Sequence, residues 1–216
     1  MMDKSYRKTY EVAFKEALNN SANSYYDEAA LPSYTHKNRL MAWLFWKRID
    51  TALSLAGDLQ DRSVFDFGCG GGVTFKYLSQ KQCQLTVCDD SYYDLAAAMC
   101  KKLDVNAMVC RDLFTITDMT FDVIFALDVL EHVDDIDAIL DKLVALSHHG
   151  TIFILSGPTE NLFYKAGRLL AGFSGHYHVR NIYDIEKQFR SKGLREIRVK
   201  SLYLPIPLFR VSSWQT

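Results

Sequence analysis

A glycine run and the acidic groups around it carry the clearest chemical potential in this chain. Val64-Phe65-Asp66-Phe67 is a short apolar stretch that runs into Gly68-Cys69-Gly70-Gly71-Gly72. Glycine lets a backbone turn sharply and lets a ligand lie against it with no Cβ in the way. The spacing sorts the candidate ligands. A dinucleotide loop needs G-x-G-x-x-G, and counted from Gly68 the third glycine falls on Val73. A P-loop needs Gly-Lys-Ser/Thr, which does not follow. What stands here is h-h-D-h-G-x-G-x-G, with h an apolar residue. Asp89 closes the next apolar stretch about 20 residues on, where a carboxylate can accept both hydroxyls of a ribose.

Other groups could act on a substrate. Glu131-His132 follows a third apolar stretch, and an imidazole titrates near neutral pH, as a general base should. Gly157-Pro158-Thr159-Glu160-Asn161 follows a fourth, with Glu160 as a candidate acceptor contact. His176-Tyr177-His178-Val179-Arg180 is dense in polar rings, and His178 is a further candidate. The H-x-H spacing there has no third ligand pattern, so no metal is expected. Tyr25 and Tyr26, with the aromatic stretch Met41–Trp46, are candidates for the wall of an acceptor pocket.

The elements that must position these residues alternate. Strands are expected at Val64–Phe67, Gln84–Cys88, Ala107–Cys110, Phe121–Leu127 and Thr151–Leu155, followed by an alternating strand at Glu196–Leu204 and a last antiparallel one at Val211–Trp214. Helices are expected at Lys37–Leu55, Val73–Gln80, after Ser91 with a Ser91/Asp94 capping box, and at Asp184–Lys192. The plainest helix carries Ile136, Ile139, Leu140, Leu143 and Val144 on one stripe, with Asp134 and Asp137 at its N-terminal end. His148-His149 read as the C-terminal end of that helix, before Gly150. Strands alternating with helices predict an α/β fold whose sheet is mostly parallel and covered on both faces. Ligands of such sheets lie at the carboxyl ends of the strands, where the candidate residues stand.

At this point a resemblance becomes specific. Val64 to Gly72 resembles the first motif of class I S-adenosylmethionine-dependent methyltransferases, of the small-molecule, ubiquinone-biosynthesis-like type. Phe121-Asp122-Val123-Ile124-Phe125-Ala126-Leu127-Asp128-Val129-Leu130-Glu131-His132-Val133 is similar to that family's fourth-strand motif, and the likeness covers about residues 60–155. It implies a Rossmann-like seven-stranded sheet with an antiparallel last strand, an N-terminal helical cap at 1–60 and the cofactor-binding domain at 61–216. It also implies that Gly68, Cys69, Gly70 and Gly72 pass under the methionine and sugar of S-adenosylmethionine, that Asp66 helps hold the amino group, and that Asp89 takes the ribose. Asp90, Asp112 and Leu113 would then lie near the adenine, and Leu127 and Asp128 on the fourth-strand side of the pocket. The expected reaction is methyl transfer to a small-molecule, lipid-linked or glycan-type acceptor, with S-adenosylhomocysteine as product. His132 and Glu131 are its candidate base or substrate contacts. The alternatives are a non-catalytic S-adenosylmethionine-binding partner protein and a nucleotide-cofactor oxidoreductase.

Composition narrows the setting. The chain has 216 residues, with 25 Lys+Arg against 26 Asp+Glu and a net charge of −1, a poor basis for gripping nucleic acid. No apolar run approaches the roughly 20 residues a membrane span needs, and no signal core follows the N-terminus. Five cysteines without a C-x-x-C pair suggest a reducing cytoplasm. The aromatic stretch with Lys37, Arg39, Lys47 and Arg48 around it would also suit peripheral contact with a membrane surface.

Overall fold

The computed structural model describes residues 4–19, 34, 39–161, 180–203 and 205–216. The candidates Tyr25, Tyr26 and His178 lie outside the described residues. Seven strands form one sheet in the order β3-β2-β1-β4-β5-β7-β6. They are β1 (Ser63–Phe67), β2 (Gln84–Cys88), β3 (Met108–Cys110), β4 (Phe121–Leu127), β5 (Ser147–Pro158), β6 (Arg195–Leu202) and β7 (Phe209–Gln215). The first five run parallel, and β7 lies antiparallel between β5 and β6. This is the expected Rossmann-like sheet, with strand order reversing between β1 and β4.

The strands alternate their apolar side chains between two cores. Val64, Val87, Val123, Phe125 and Ile154 join a core on one face, against α1 (Lys4–Asn19), α2 (Arg39–Leu55), α3 (Phe75–Ser79) and α4 (Tyr93–Lys102). Phe65, Ile124, Phe153, Leu155 and Trp214 join the other, against α5 (Ile136–Ala145) and α6 (Ile182–Ser191). Residues apolar on both sides are what a doubly covered sheet demands. Each buried Phe, Leu or Val stabilises by about 1.5–3 kcal/mol relative to exposure, so the ligand edge rests on a stiff platform.

The α5 stripe is as expected. Ile136, Leu140 and Leu143 are buried, and Ile139 and Val144 pack beside them. Its N-cap, however, is Asp135 rather than Asp134. The helix starts at Ile136, and the Asp135 carboxylate accepts from the Ala138 N–H at 3.1 Å. The Ser91/Asp94 capping box does not form. The helix starts at Tyr93 with Tyr92 as its N-cap, one residue later than the box requires, and Asp89 at the end of β2 holds the Tyr92 N–H. A capping box does close the start of α6, at Asn181 and Asp184. His148 and His149 lie within β5, not at a helix end, because α5 stops at Ala145 and Gly150 turns with φ +96° inside the strand. His148 Nε2 sits 3.2 Å from Asp122. The helix expected at Val73–Gln80 is shorter, because Gly72 at φ +67° holds a turn before Phe75.

Candidate active site

The carboxyl ends of β1, β2, β4 and β5 converge, and the glycine loop is folded onto them. Gly68 and Cys69 both donate their N–H groups to the Cys88 carbonyl, at 2.8 and 3.2 Å, which pins the loop over the end of β2. Gly68 sits at φ +69°, and a Cβ there would lie 2.2 Å from the Val129 side chain. Any residue but glycine would be strained in backbone and blocked in space. This contact also sets the turn after β4 directly against the loop.

Two carboxylates frame the loop. Asp66 is buried at the end of β1 and accepts from the Thr74 hydroxyl at 2.5 Å. Burial drives its pKa up to about 7; the Thr74 hydrogen bond opposes that rise and the nearby Asp89 adds to it. A buried carboxylate of this kind is suited to a cationic partner. Asp89 accepts from the Gly70 N–H through Oδ2 and from the Tyr92 N–H through Oδ1, both at 2.8 Å. The Ser91 backbone also reaches this carboxylate, and since each carboxylate oxygen can accept twice, the clamped group keeps capacity for a hydroxyl of a diol. Desolvation raises the Asp89 pKa, and its backbone hydrogen bonds counter this. Asp90 is exposed. Asp112 is exposed too, and its carboxylate caps a 3-10 turn at Leu113–Thr115 by accepting from Phe114 at 2.8 Å. Leu113 is buried beneath it.

A second cluster lies where α2 crosses the end of β4. Arg48 is 4% exposed, and its guanidinium contacts Asp128 at 2.5 Å and donates to the Tyr34 hydroxyl at 3.2 Å. It lies over the Phe45 and Phe209 rings, 4.9 and 4.6 Å from their centroids. Asp128 and Glu160, which follow β4 and β5, both hold left-handed backbone, at φ +55° and +51°. Strain of this kind concentrates where side chains are aimed for a purpose. Glu131 is 1% exposed, and its pKa stands well above the usual carboxylate range. Desolvation is the main cause, the Asp128 charge adds to it, Arg48 opposes it and Glu160 adds a smaller push. Its Oε2, the Ser156 hydroxyl at the end of β5 and Asp128 Oδ1 are all buried with no hydrogen-bond partner among the described residues.

The structure therefore brings together Asp66, Gly68, Cys69, Gly70, Gly72 and Asp89 as one group, and Leu127, Asp128, Glu131 and Glu160 as a neighbouring one. Asp90, Asp112 and His132 stand at the exposed margin. Sequence reading did not single out Thr74, Ser156 or Phe209, and saw Arg48 only as one of several flanking cations. The one available signal for Arg48 was a charge inside the aromatic run Trp43–Trp46 and the apolar turns that follow. No cluster of metal-ligating side chains occurs among the described residues.

S-adenosylmethionine fits this donor set. A glycine cradle that a Cβ would fill, a buried carboxylate suited to an ammonium and a clamped carboxylate suited to a diol stand at one strand edge. Comparison with known proteins agrees. A family model described as a methyltransferase domain matches residues 35–199. A ubiquinone biosynthesis O-methyltransferase of Bordetella avium is 29% identical over 176 residues, 74% of this chain and 73% of that protein. Another, from Rickettsia bellii, is 24% identical over 69% of this chain and 64% of its own length. Among solved structures, the magnesium protoporphyrin IX methyltransferase of Synechocystis PCC 6803 with bound S-adenosylhomocysteine superposes with a TM-score of 0.64 at 19% identity, covering 99% of each chain. An N-methyltransferase of Bradyrhizobium japonicum WM9 with the same ligand gives 0.65 at 17% identity, covering 96% of this chain and 98% of that one. Matched by that family model over most of its length, this chain belongs to the methyltransferase domain family and is an S-adenosylmethionine-dependent methyltransferase.

Proposed function

We propose that the chain methylates a small-molecule acceptor held between the end of β4 and α2, with the cofactor along the ends of β1 and β2. The observation that carries the cofactor side is Asp89, whose two oxygens are fixed at the end of β2 by the N–H groups of Gly70 and Tyr92. Asp89 would hold the ribose, Asp66 the amino group and the backbone of Gly68, Cys69, Gly70 and Gly72 the methionine and sugar. Asp90, Asp112 and Leu113 would edge the adenine, and Leu127 and Asp128 the side of the pocket nearest the acceptor. Bound there, the cofactor supplies an electrophilic methyl group on a sulfonium. The protein's share is to bring the acceptor into line, exclude water and manage one proton. The Glu131-His132 turn after β4 carries titratable groups for that proton, and Glu160 acts on Glu131 from the end of β5.

Residues 1–60 supply a cap in this reading. The Tyr6 hydroxyl of α1 donates to the Val73 carbonyl at the end of the glycine loop, at 2.7 Å, and Arg7 of α1 pairs with Asp50 of α2. The relatives' printed names include an O-methyltransferase and an N-methyltransferase, so shared fold leaves the acceptor atom open. A lipid-linked acceptor reached at a membrane surface has one observation in its favour. Leu40 and Trp43 of α2 are 61% and 47% exposed, next to Arg39. No described helix is long and apolar enough to cross a membrane, so contact would be peripheral. Flotation with anionic vesicles tests it, and loss of flotation in Leu40→Ser/Trp43→Ser is expected.

Calorimetric titration with S-adenosylmethionine and S-adenosylhomocysteine, with NAD as control, tests the cofactor side. Micromolar binding of both adenosyl ligands, none of NAD, and loss in Asp89→Ala are expected. A folded protein that binds neither adenosyl ligand would refute the reading.

A further inference from the structure

We propose that Tyr6 of α1 is a positioning residue for the cofactor: its hydroxyl caps the first turn of α3 in place of Thr74, and so leaves the Thr74 hydroxyl to hold Asp66. The inference rests on the reading that Asp66 meets the amino group of the cofactor, and deepens it. The first N–H groups of a helix need acceptors from outside its own ladder, and a Thr at the N-cap is a usual source. Thr74 stands at the N-cap of α3 but makes no such bond. Its hydroxyl donates to Asp66 Oδ2 at 2.5 Å instead.

Tyr6 supplies what Thr74 does not. Its hydroxyl donates to the Val73 carbonyl at 2.7 Å, from 67 positions earlier in the chain, and the Lys76 backbone N–H reaches the same oxygen. Lys76 is the second residue of α3, a position that an N-cap side chain serves. One hydroxyl thus bridges a carbonyl just before α3 and an N–H inside it. The ring that carries this hydroxyl is held in place. It meets Trp46 of α2 edge-on at 6.0 Å and Tyr10 at 6.4 Å, and the neighbouring Arg7 pairs with Asp50 of α2. Towards its other end α1 is tied to α4, where Glu16 pairs with Lys102 at 3.0 Å.

Without the Tyr6 hydroxyl, the Lys76 N–H needs another acceptor. The Thr74 oxygen, two residues earlier, is placed to take it as an ordinary N-cap, and turning to Lys76 draws it away from Asp66. A hydrogen bond to the charged form of a carboxylate lowers its pKa, so losing that bond lifts the Asp66 pKa further. The other titratable groups that act on Asp66 are Asp89 at the end of β2, Cys69 in the glycine loop and Tyr34 ahead of α2. None of them belongs to α1, so Tyr6 acts on Asp66 through Thr74.

The test is calorimetric titration of the full chain with S-adenosylhomocysteine across the pH range around neutrality. Wild-type affinity should rise with pH through a limb centred near the Asp66 value of about 7. Tyr6→Phe keeps the ring and removes the hydroxyl. It should move that limb up by about one pH unit, so that affinity falls about tenfold at pH 6 but stays within about threefold of wild type at pH 8.5. Thr74→Val should move the limb the same way, and Tyr6→Phe/Thr74→Val should move it no further than Thr74→Val alone. Tyr10→Phe, in the same aromatic cluster, should leave the limb in place. Hydrogen exchange on the wild-type chain reads the cap without any substitution: the Lys76 amide should exchange about tenfold or more slower than an unstructured amide. A limb that stays put in Tyr6→Phe, an equal loss of affinity at both pH values, additive shifts in the double variant or an unprotected Lys76 amide would each overturn the role of Tyr6. A wild-type affinity that does not change with pH would instead remove the reading of Asp66 beneath it.

Discussion

The two halves of the candidate site are built by opposite strategies. Around the glycine loop, every group named above is held by backbone or by a short polar contact. Gly68 and Cys69 hang on Cys88, Asp89 is held by two N–H groups, and Asp66 by Thr74. Where α2 meets the end of β4, charge is buried against charge. Arg48 is bedded on aromatic rings, Asp128 is strained, and Glu131 and Ser156 are left short of partners. The first half can be rigid because the ligand it suits has fixed chemistry. The second keeps polar capacity in reserve, at a cost to stability, for a partner that completes it. The difference teaches where to look for specificity: in the half whose polar atoms are not yet satisfied.

The largest effect that could break this contrast is expected at Arg48. Removing one member of a buried ion pair leaves an uncompensated charge and costs about 3–5 kcal/mol. Arg48→Ala should lose stability of that order by chemical denaturation, while folded protein keeps its affinity for S-adenosylhomocysteine within threefold. A parallel loss of affinity would show that the halves are one unit. Next comes Gly68→Ala. A Cβ 2.2 Å from Val129 on left-handed backbone should cost about 2–4 kcal/mol, an overpacking penalty plus backbone strain. Here cofactor affinity should fall with stability, because the loop itself must move. Unchanged affinity would mean that the loop is softer than its hydrogen bonds imply.

The same contrast explains what could be read from sequence. The sheet and its order of elements were legible because two-sided burial forces apolar strands such as Thr151–Leu155, and because a tight loop forces glycines at fixed spacing. The residues that gather around the glycine loop were legible because a ligand-binding strand edge demands particular types next to particular strand ends. Asp89 and the loop needed no tertiary information. Arg48 did. It meets Asp128, 80 positions later in the chain, only because α2 packs over the sheet, and no local pattern encodes that meeting. Ser156 and Phe209 were invisible for the same reason. The Ser91/Asp94 cap failed in the other direction: a sound local signal lost when the helix began one residue later, at Tyr93, with Asp89 from the end of β2 holding the Tyr92 N–H.

Asp66 offers the finest test, because it stands in the satisfied half yet carries a burial cost of its own. Its folded pKa of about 7 lies above the ordinary aspartate value of 3.8. Between those values the folded chain holds a proton that the unfolded chain has released, so folding gains from that proton at acid pH. As pH rises from about 4 to about 7 that gain is lost, and above 7 a buried charge remains with only Thr74 named against it. Asp66→Asn removes the charge. It should leave stability nearly unchanged at pH 4 and raise it by about 1–3 kcal/mol at pH 8, as measured by denaturation at the two values. The cofactor should see the reverse. If the carboxylate meets an ammonium, wild-type affinity for S-adenosylhomocysteine should rise with pH up to about 7, with up to one proton released on binding at pH 6. Asp66→Asn should bind more weakly, with neither dependence. Calorimetry at pH 6 in two buffers of different ionisation enthalpy reads that proton directly. A stability gain without a change in proton release would place the ammonium elsewhere, and the glycine-loop half would then be less finished than its hydrogen bonds make it look.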